Sequence, residues 1–354
     1  MPATEELLQE IIQHYDLPGE QLQILPLEKG LINHTWKVSR SQGEYILQKI
    51  NTHIFKSPES IAYNIKNIGT YLTRHHPRYF FVRPVPDRNG NEMIHEQEGY
   101  YRLFPYVTDS RTLDVLQSPQ QAFEAARQFG LFTFHCQGFP VDTLKITLED
   151  FHNLTLRYQQ FSQALASGVP ERIRESKDLI DYMVSQRSIV DIYESIKANP
   201  AFQVRVTHHD TKISNVLFNS RGKGLCVIDL DTVMPGYFIS DVGDMIRTYL
   251  SPVSEEEGDL SKIVIREEFF LAVWKGYIGA MEDLLSQEEK EFFLYSGKFM
   301  IYMQALRFLT DYLNGDSYYK ITYKDQNLLR TRNQITLLQQ LLYKEPALKA
   351  LIST

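Results

Sequence analysis

The chain has 354 residues, 43% of them hydrophobic and 23% charged, the composition of a folded globular protein and not of a disordered one. Its net charge of −7 argues against a general nucleic-acid surface, and no apolar run is long enough to cross a bilayer. At this length two lobes are expected, not one core.

Cys136 and Cys226 lie far apart in apolar segments. They read as buried thiols in a reducing compartment. The polar, acidic N-terminus shows no secretory pattern, so a cytoplasmic protein is expected.

In chain order, Leu7, Leu8, Ile11, Ile12 and Tyr15 mark one face of a helix, ended by Pro18-Gly19. Strands are expected over Gln21–Leu25, through Trp36–Val38 after a turn at Gly30-Leu31-Ile32-Asn33, and over Tyr45–Ile50. Ser57-Pro58 starts a helix whose buried stripe is Ile61, Ile65, Ile68 and Leu72. Phe80–Val85 and Glu92–Ile94 read as a hairpin around Asn89-Gly90, and Gly99–Phe104 as a last strand. Beyond it, helical patterns cover Ser118–Phe134, Thr147–Ala166, Arg174–Lys197, Ile263–Ala280, Gln287–Tyr312 and Asp325–Tyr343. The expectation is an α+β chain: a β-rich lobe with an antiparallel sheet over residues 1–104, then a mostly helical lobe over 105–354. Phe104 and Tyr106 would form the hinge, with ATP in the cleft and its adenine against the hinge backbone.

The one clear β interruption among the helices carries the chemistry. His208-His209-Asp210 through Asn215 fits H-x-D-x-x-x-x-N, the catalytic-loop pattern of protein kinases. Asp210 leaves a short strand with its carboxylate free to accept a proton from a substrate hydroxyl. A hairpin, Val216–Phe218 and Leu225–Ile228, returns Asp229 beside Asn215. These two are hard oxygen ligands suited to Mg²⁺ on nucleotide phosphates. Lys212 is placed to neutralise charge on a transferred phosphoryl group. His208 reads as structural, and Asp231 as either a further ligand or a loop brace. Asp241 and Asp244 read as a helix N-cap that braces the catalytic loop.

Thr207–Asn215 and Val227–Gly236 resemble the active-site segments of the aminoglycoside phosphotransferase and choline kinase superfamily. More narrowly they are similar to N-acetylhexosamine 1-kinases. The likeness continues in Tyr45–Asn51, Asp241–Arg247, Arg307–Leu313 and Gly315–Tyr318, so it spans nearly the whole chain. The resemblance implies a protein-kinase-like two-lobe fold and ATP- and Mg²⁺-dependent phosphorylation of N-acetylgalactosamine or N-acetylglucosamine at C1. It implies Asp210 as base, Asn215 and Asp229 as metal ligands, and Arg307 and Tyr318 as sugar contacts.

Three departures stand out. The similar sugar kinases carry His where this chain has Leu31, which leaves His34 as the nearby candidate for the sugar. They carry an aromatic residue where this chain has Thr248. Gln48 and Lys49 are adjacent on a strand, so only one of them can face the nucleotide. Asn33, at the turn, is the remaining candidate near the phosphates.

Other readings remain open at this level. Arg307 and Asp311 are spaced i,i+4 and could form a simple helix-surface ion pair. Choline, an amino alcohol or an aminoglycoside could be the acceptor, and a nucleotide-binding pseudokinase is the non-enzymatic alternative. A protein kinase is disfavoured, because the Gly-rich G-x-G-x-x-G-x-V loop, D-F-G and A-P-E are missing. The expected partner is thus a small molecule, with no nucleic acid and no membrane; oligomeric state is not readable.

Overall fold

The computed structural model describes residues 4–27, 32–97 and 99–353; Gly30 and Leu31 lie outside them. Helix α1 (Glu5–Gln13) begins at Thr4, whose side chain accepts from the Leu7 N–H. Five strands follow: β1 (Gln23–Leu27), β2 (His34–Arg40), β3 (Gly43–Lys49), β4 (Ile94–Glu96) and β5 (Gly99–Pro105). They form one antiparallel sheet in the order β1-β2-β3-β5-β4.

Side-chain alternation gives this sheet two apolar-to-polar faces. On one, Trp36, Val38, Leu47, Tyr101 and Leu103 pack with Leu8, Ile11, Ile12 and Tyr15 of α1. The opposite face carries Gln48 and Arg102, paired in register across β3 and β5. It faces the catalytic segment. Helix α2 (Pro58–His75) crosses between β3 and β4 and buries Ile61, Ile65, Ile68 and Leu72, the predicted stripe.

The predicted Phe80–Val85 hairpin does not form. Only Val85 bridges to the sheet, at Leu103. Asp87 turns the chain instead, with one carboxylate oxygen accepting from the N–H groups of Asn89 and Asn91 at 2.9 and 2.7 Å. That side-chain turn displaces the ladder a hairpin needs.

Past β5 a short β6 (Ser110–Arg111) leads into helices α3 (Pro119–His135), α4 (Leu154–Ser167), α5 (Pro170–Glu175), α6 (Lys177–Ser185) and α7 (Ser188–Ala198). Helix α4 starts seven residues later than Thr147 because Asn153 caps it, accepting from the Leu156 N–H at 3.1 Å. The expected Arg174–Lys197 helix is three short ones. The catalytic segment then supplies β7 (Arg205–Thr207), the hairpin β8 (Val216–Asn219) and β9 (Gly224–Val227), and β10 (Met234–Gly236). Helices α8 (Phe238–Tyr249), α9 (Glu267–Met281), α10 (Gln287–Glu291), α11 (Phe293–Leu313) and α12 (Gln326–Ile352) complete the chain. Among the described residues no helix is long and apolar enough to cross a membrane.

Helices α8 and α11 pack closely over Gly243, where an added Cβ would meet the Ser296 carbonyl at 2.4 Å. The floor under the catalytic segment is therefore rigid: α8 sits directly on α11, whose Phe299, Ile301, Leu306 and Leu309 are fully buried.

Candidate active site

The loop after β7 is held from below by α8. The backbone N–H groups of His208 and His209 donate to the two oxygens of Asp241, at 3.1 and 2.7 Å. Thr211 donates its N–H to Asp244 at 2.8 Å, and its carbonyl accepts from the Tyr249 hydroxyl at 2.6 Å. The helix itself begins at Phe238, so Asp241 is a brace inside the first turn and not an N-cap. Burial pushes its carboxyl up to about 7, against the pull of the two N–H groups.

Both histidines are neutral parts of the scaffold. His208 is fully buried and edge-on to Phe129. Its Nδ1 accepts from the Asp210 N–H at 3.4 Å, which leaves Nε2–H to donate to the Ile228 carbonyl at 3.0 Å. Burial pushes both imidazoles down to about 4. His209 adopts φ 66°, and its ring lies against Gly236, where a Cβ would meet Nε2 at 2.4 Å. That conformation turns the chain so that Asp210 follows into the cleft.

Asp210, Lys212, Asn215 and Asp229 come together as the sequence predicts. Asp210 Oδ2 accepts from Lys212 Nζ at 2.7 Å and from Asn215 Nδ2 at 3.0 Å. Asn215 Nδ2 also donates to the Asp210 carbonyl at 2.9 Å. These two bonds fix the amide's orientation. Among the described residues its Oδ1 has no hydrogen-bond partner, so a hard oxygen is left for a cation. Lys212 Nζ lies 3.7 Å from Asp229. Burial pulls the ammonium down, but the Asp210 and Asp229 carboxylates offset this and leave it raised.

Asp229 sits at φ 61°, in the left-handed region, on the turn that follows β9. Burial and the neighbouring Asp231 carboxylate push its carboxyl up to about 6, with Lys212 opposing. A crowded acid of this kind is relieved by a cation. Among the described residues no three His, Cys, Asp or Glu side chains form a metal site on their own. The unpartnered Asn215 Oδ1 and the crowded Asp229 carboxylate are oxygen donors of the kind that Mg²⁺ takes.

The remaining candidates divide. Gln48 is on the cleft face, where its Oε1 accepts from Arg102 Nε and Nη2 at 3.1 and 2.8 Å. Lys49 is on the α1 side, with Nζ 5.6 Å from the Tyr101 ring, so it is corrected to an outward lysine. His34 pairs with Lys49 in register and leans toward Trp36, 6.2 Å between rings; it too points away from the cleft. Asn33 is buried, but its Nδ2 donates to Asp231 at 2.7 Å and its Oδ1 accepts from the Asn51 N–H at 2.9 Å. Its amide braces the turn and is not free for a phosphate. Phe104 and Tyr106 lie past the residues that β4 covers, and the Tyr106 N–H donates to the Glu44 carbonyl at 2.9 Å. The sequence reading missed Arg102, a lone charge in an apolar strand.

On the far side of Asp210 lies a second group of side chains. The His152 ring is 5.3 Å from that of His209. Burial holds His152 well below its usual value, with His209, Arg307, Arg247 and Arg157 close enough to add to the effect. Arg307 donates to Gln304 at 3.2 Å, and its guanidinium lies 5.9 and 5.4 Å from the Tyr318 and Tyr319 rings. The i,i+4 ion pair with Asp311 is absent. Asp311 accepts instead from the N–H groups of Tyr318 and Tyr319, at 2.7 and 2.9 Å, and from Asn327 at 2.9 Å. Thr248 turns its hydroxyl back to the Asp244 carbonyl at 2.7 Å.

An antiparallel sheet packed on a helical region, with a carboxylate-bearing loop between them, is an arrangement suited to phosphoryl transfer. The sequence model of the APH family, described as phosphotransferase enzyme family, matches residues 23–277, and the chain belongs to that family. It is accordingly an enzyme of phosphoryl transfer. The fold is shared with an aminoglycoside phosphotransferase from Alicyclobacillus acidocaldarius at a TM-score of 0.64 and 12% identity, covering 99% of this chain and 98% of that one. It is shared with a microcompartment-associated aminopropanol kinase at 0.63 and 15%, covering 97% and 98%. A spectinomycin phosphotransferase solved with ADP and spectinomycin aligns at 0.59 and 9%, covering 97% and 99%.

Proposed function

We propose that this enzyme phosphorylates the anomeric C1 hydroxyl of an N-acetylhexosamine, N-acetylgalactosamine or N-acetylglucosamine. The observation that carries this reading is the charge of the acceptor side. Among the described residues Arg307 and Arg157 have no carboxylate partner, and Arg247 is held by Asp244 and Glu255 at 3.1 and 2.9 Å. A surplus of guanidinium groups repels a cationic acceptor of the kind the aminopropanol kinase is named for. It suits the hydroxyl and acyl oxygens of a neutral amino sugar.

In this reading Asp210 orients the acceptor hydroxyl and takes its proton. Lys212 keeps a positive charge beside that carboxylate, where negative charge gathers in the reaction. Asn215 Oδ1 and Asp229 would hold Mg²⁺, which would offset the charge on the phosphate oxygens of ATP, the phosphoryl donor. Gln48 lies on the nucleotide side of the sheet, and Phe104–Tyr106 is the hinge between lobes 1–104 and 105–354, its backbone facing the adenine. Arg307 and Tyr318 contact the sugar. A small-molecule acceptor and two buried free thiols go with a cytoplasmic enzyme.

The test is ADP release with Mg-ATP and a panel of N-acetylgalactosamine, N-acetylglucosamine, galactose, choline and kanamycin. A C1 phosphate on an N-acetylhexosamine, located by NMR, is the expected product. Turnover with only choline or kanamycin overturns the sugar assignment.

A further inference from the structure

Two side chains of the N-terminal region, Arg102 and Asn33, converge on one carboxylate of the catalytic segment, and a third, Gln48, backs the arginine. Arg102 is 1% exposed, and its Nη2 lies 2.5 Å from Asp231 Oδ1. Asn33 donates to Asp231 Oδ2 at 2.7 Å. Gln48, opposite Arg102 in the β3–β5 register, accepts twice from the guanidinium. Phe104 covers it, 5.0 Å from ring centre to guanidinium. Asp231 is itself 3% exposed and stands two residues beyond Asp229.

In kinases a strand lysine and a helix glutamate link the sheet to the phosphate site. Among the described residues neither is present in that form. Gln48 occupies the cleft face of β3, and Lys49 points the other way. The inner face of α2 carries Asn64, which is committed to the Lys145 and Val233 carbonyls at 2.8 and 2.9 Å. The charged link between sheet and catalytic segment is Arg102 with Asp231. Exchanging a buried pair for apolar groups is often neutral or stabilising. Stability alone therefore does not account for it, whereas a fixed distance between sheet and metal segment does.

We propose that Arg102 is a positioning residue: through Asp231 it sets Asp229 against the sheet, and so sets the geometry in which nucleotide and metal bind together. The inference rests on the reading of Asp229 as a metal ligand. Neither Arg102 nor Asp231 has to touch the nucleotide for this role. The effect is of the kind exerted by groups that orient a metal ligand from behind.

The experiment is calorimetric binding of ADP, with Mg²⁺ and with EDTA, to the wild type and to the double variant R102Q/D231N. The double variant removes both charges together, so neither is left buried alone, and keeps amides facing Gln48 and Asn33. With folding checked by near-UV circular dichroism, the Mg-ADP affinity should fall about 10–100-fold while the affinity in EDTA changes by less than about threefold. An unchanged Mg-ADP affinity, or equal losses with and without metal, overturns the proposal. Should the double variant not fold, R102K, which keeps the charge but not the two-pronged grip on Gln48 and Asp231, is read by the same ratio. A ratio equal to that of wild type then overturns the proposal. Asp229→Asn with Arg102 and Asp231 intact separates the premise. A Mg²⁺ effect that survives in it means that Asp229 is not the ligand; one that vanishes leaves the Arg102 result to stand or fall alone.

Discussion

The His209 backbone N–H donates to Asp241 Oδ1 across 2.7 Å, and so a helix carboxylate holds in place a residue with φ 66°. Positive φ at a non-glycine residue is costly and persists only where the surroundings fix it. Asp241 supplies that fixing twice, since its other oxygen takes the His208 N–H. Asp241→Ala leaves two buried N–H groups without an acceptor. Each costs about 1–3 kcal/mol, so unfolding free energy in urea should fall by about 2–6 kcal/mol. Asp241→Asn keeps one acceptor and should lose less. Equal stability of the alanine variant and wild type would show that the loop holds itself.

Asp210 faces the cleft with Lys212 and Asn215 on its Oδ2. Asp210→Asn preserves shape and removes the proton acceptor. Its kcat should drop about 10²–10⁴-fold, while ADP binding by calorimetry stays near that of wild type. A kcat within threefold or so of wild type would falsify the proton-accepting role.

Asp311 and Arg307 share a helix but not a contact. Arg307→Ala should raise KM for the proposed N-acetylhexosamine acceptor by about tenfold or more, the worth of a charged hydrogen bond. Asp311→Ala should move the same constant in the same direction by releasing the Tyr318–Tyr319 backbone. Neither should change KM for ATP. If the ATP constant rises in step with the sugar constant, the two residues support the whole cleft and not its acceptor side.

His209 also gives a pH signature. Its imidazole is pushed down to about 4 by burial, whereas in an unfolded chain it titrates near 6.5. Between these values the unfolded chain binds a proton that the folded protein refuses. This contribution to stability is therefore complete above about 6.5 and lost as pH falls toward 4, at about 1.4 kcal/mol per pH unit. Asp241, raised to about 7, slopes the other way, so the comparison must be between variants. His209→Asn tolerates the left-handed backbone and lacks the titration. Going from pH 6.5 to 5.0, wild type should lose about 2 kcal/mol more than this variant in urea unfolding. Parallel losses would mean that His209 is charged in the folded protein.

The residues from His208 to Asp231 were readable in advance because the chemistry lies within one short stretch of chain and its spacing is fixed by a single strand, turn and hairpin. The five-stranded sheet was readable from alternation, as in Trp36 and Val38 or Tyr101 and Leu103. What sequence could not decide was orientation across strands. Alternation says that Gln48 and Lys49 face opposite ways, but only the packing of Leu47 on α1 says which way is inward. Arg102 escaped for the same reason: its partners are Gln48, 54 positions away, and Asp231, in another region. The signal was a single arginine between Tyr101 and Leu103, where an unpaired charge has no place. Asp87 and Asn153 show a third kind of gap, since side chains that capture nearby backbone N–H groups override the apolar pattern.

The grip of Asp311 has one more consequence. It holds Tyr318 by the main chain, while the Tyr318 side chain stands 73% exposed and makes no contribution to the core. If Tyr318 contacts the acceptor as proposed, substitutions at this one position should remodel what the enzyme accepts without disturbing what keeps it folded. On that proposal, selectivity and robustness rest on different atoms of the same residue, and a library randomised at position 318 alone should yield mostly folded enzymes with divergent acceptor preferences.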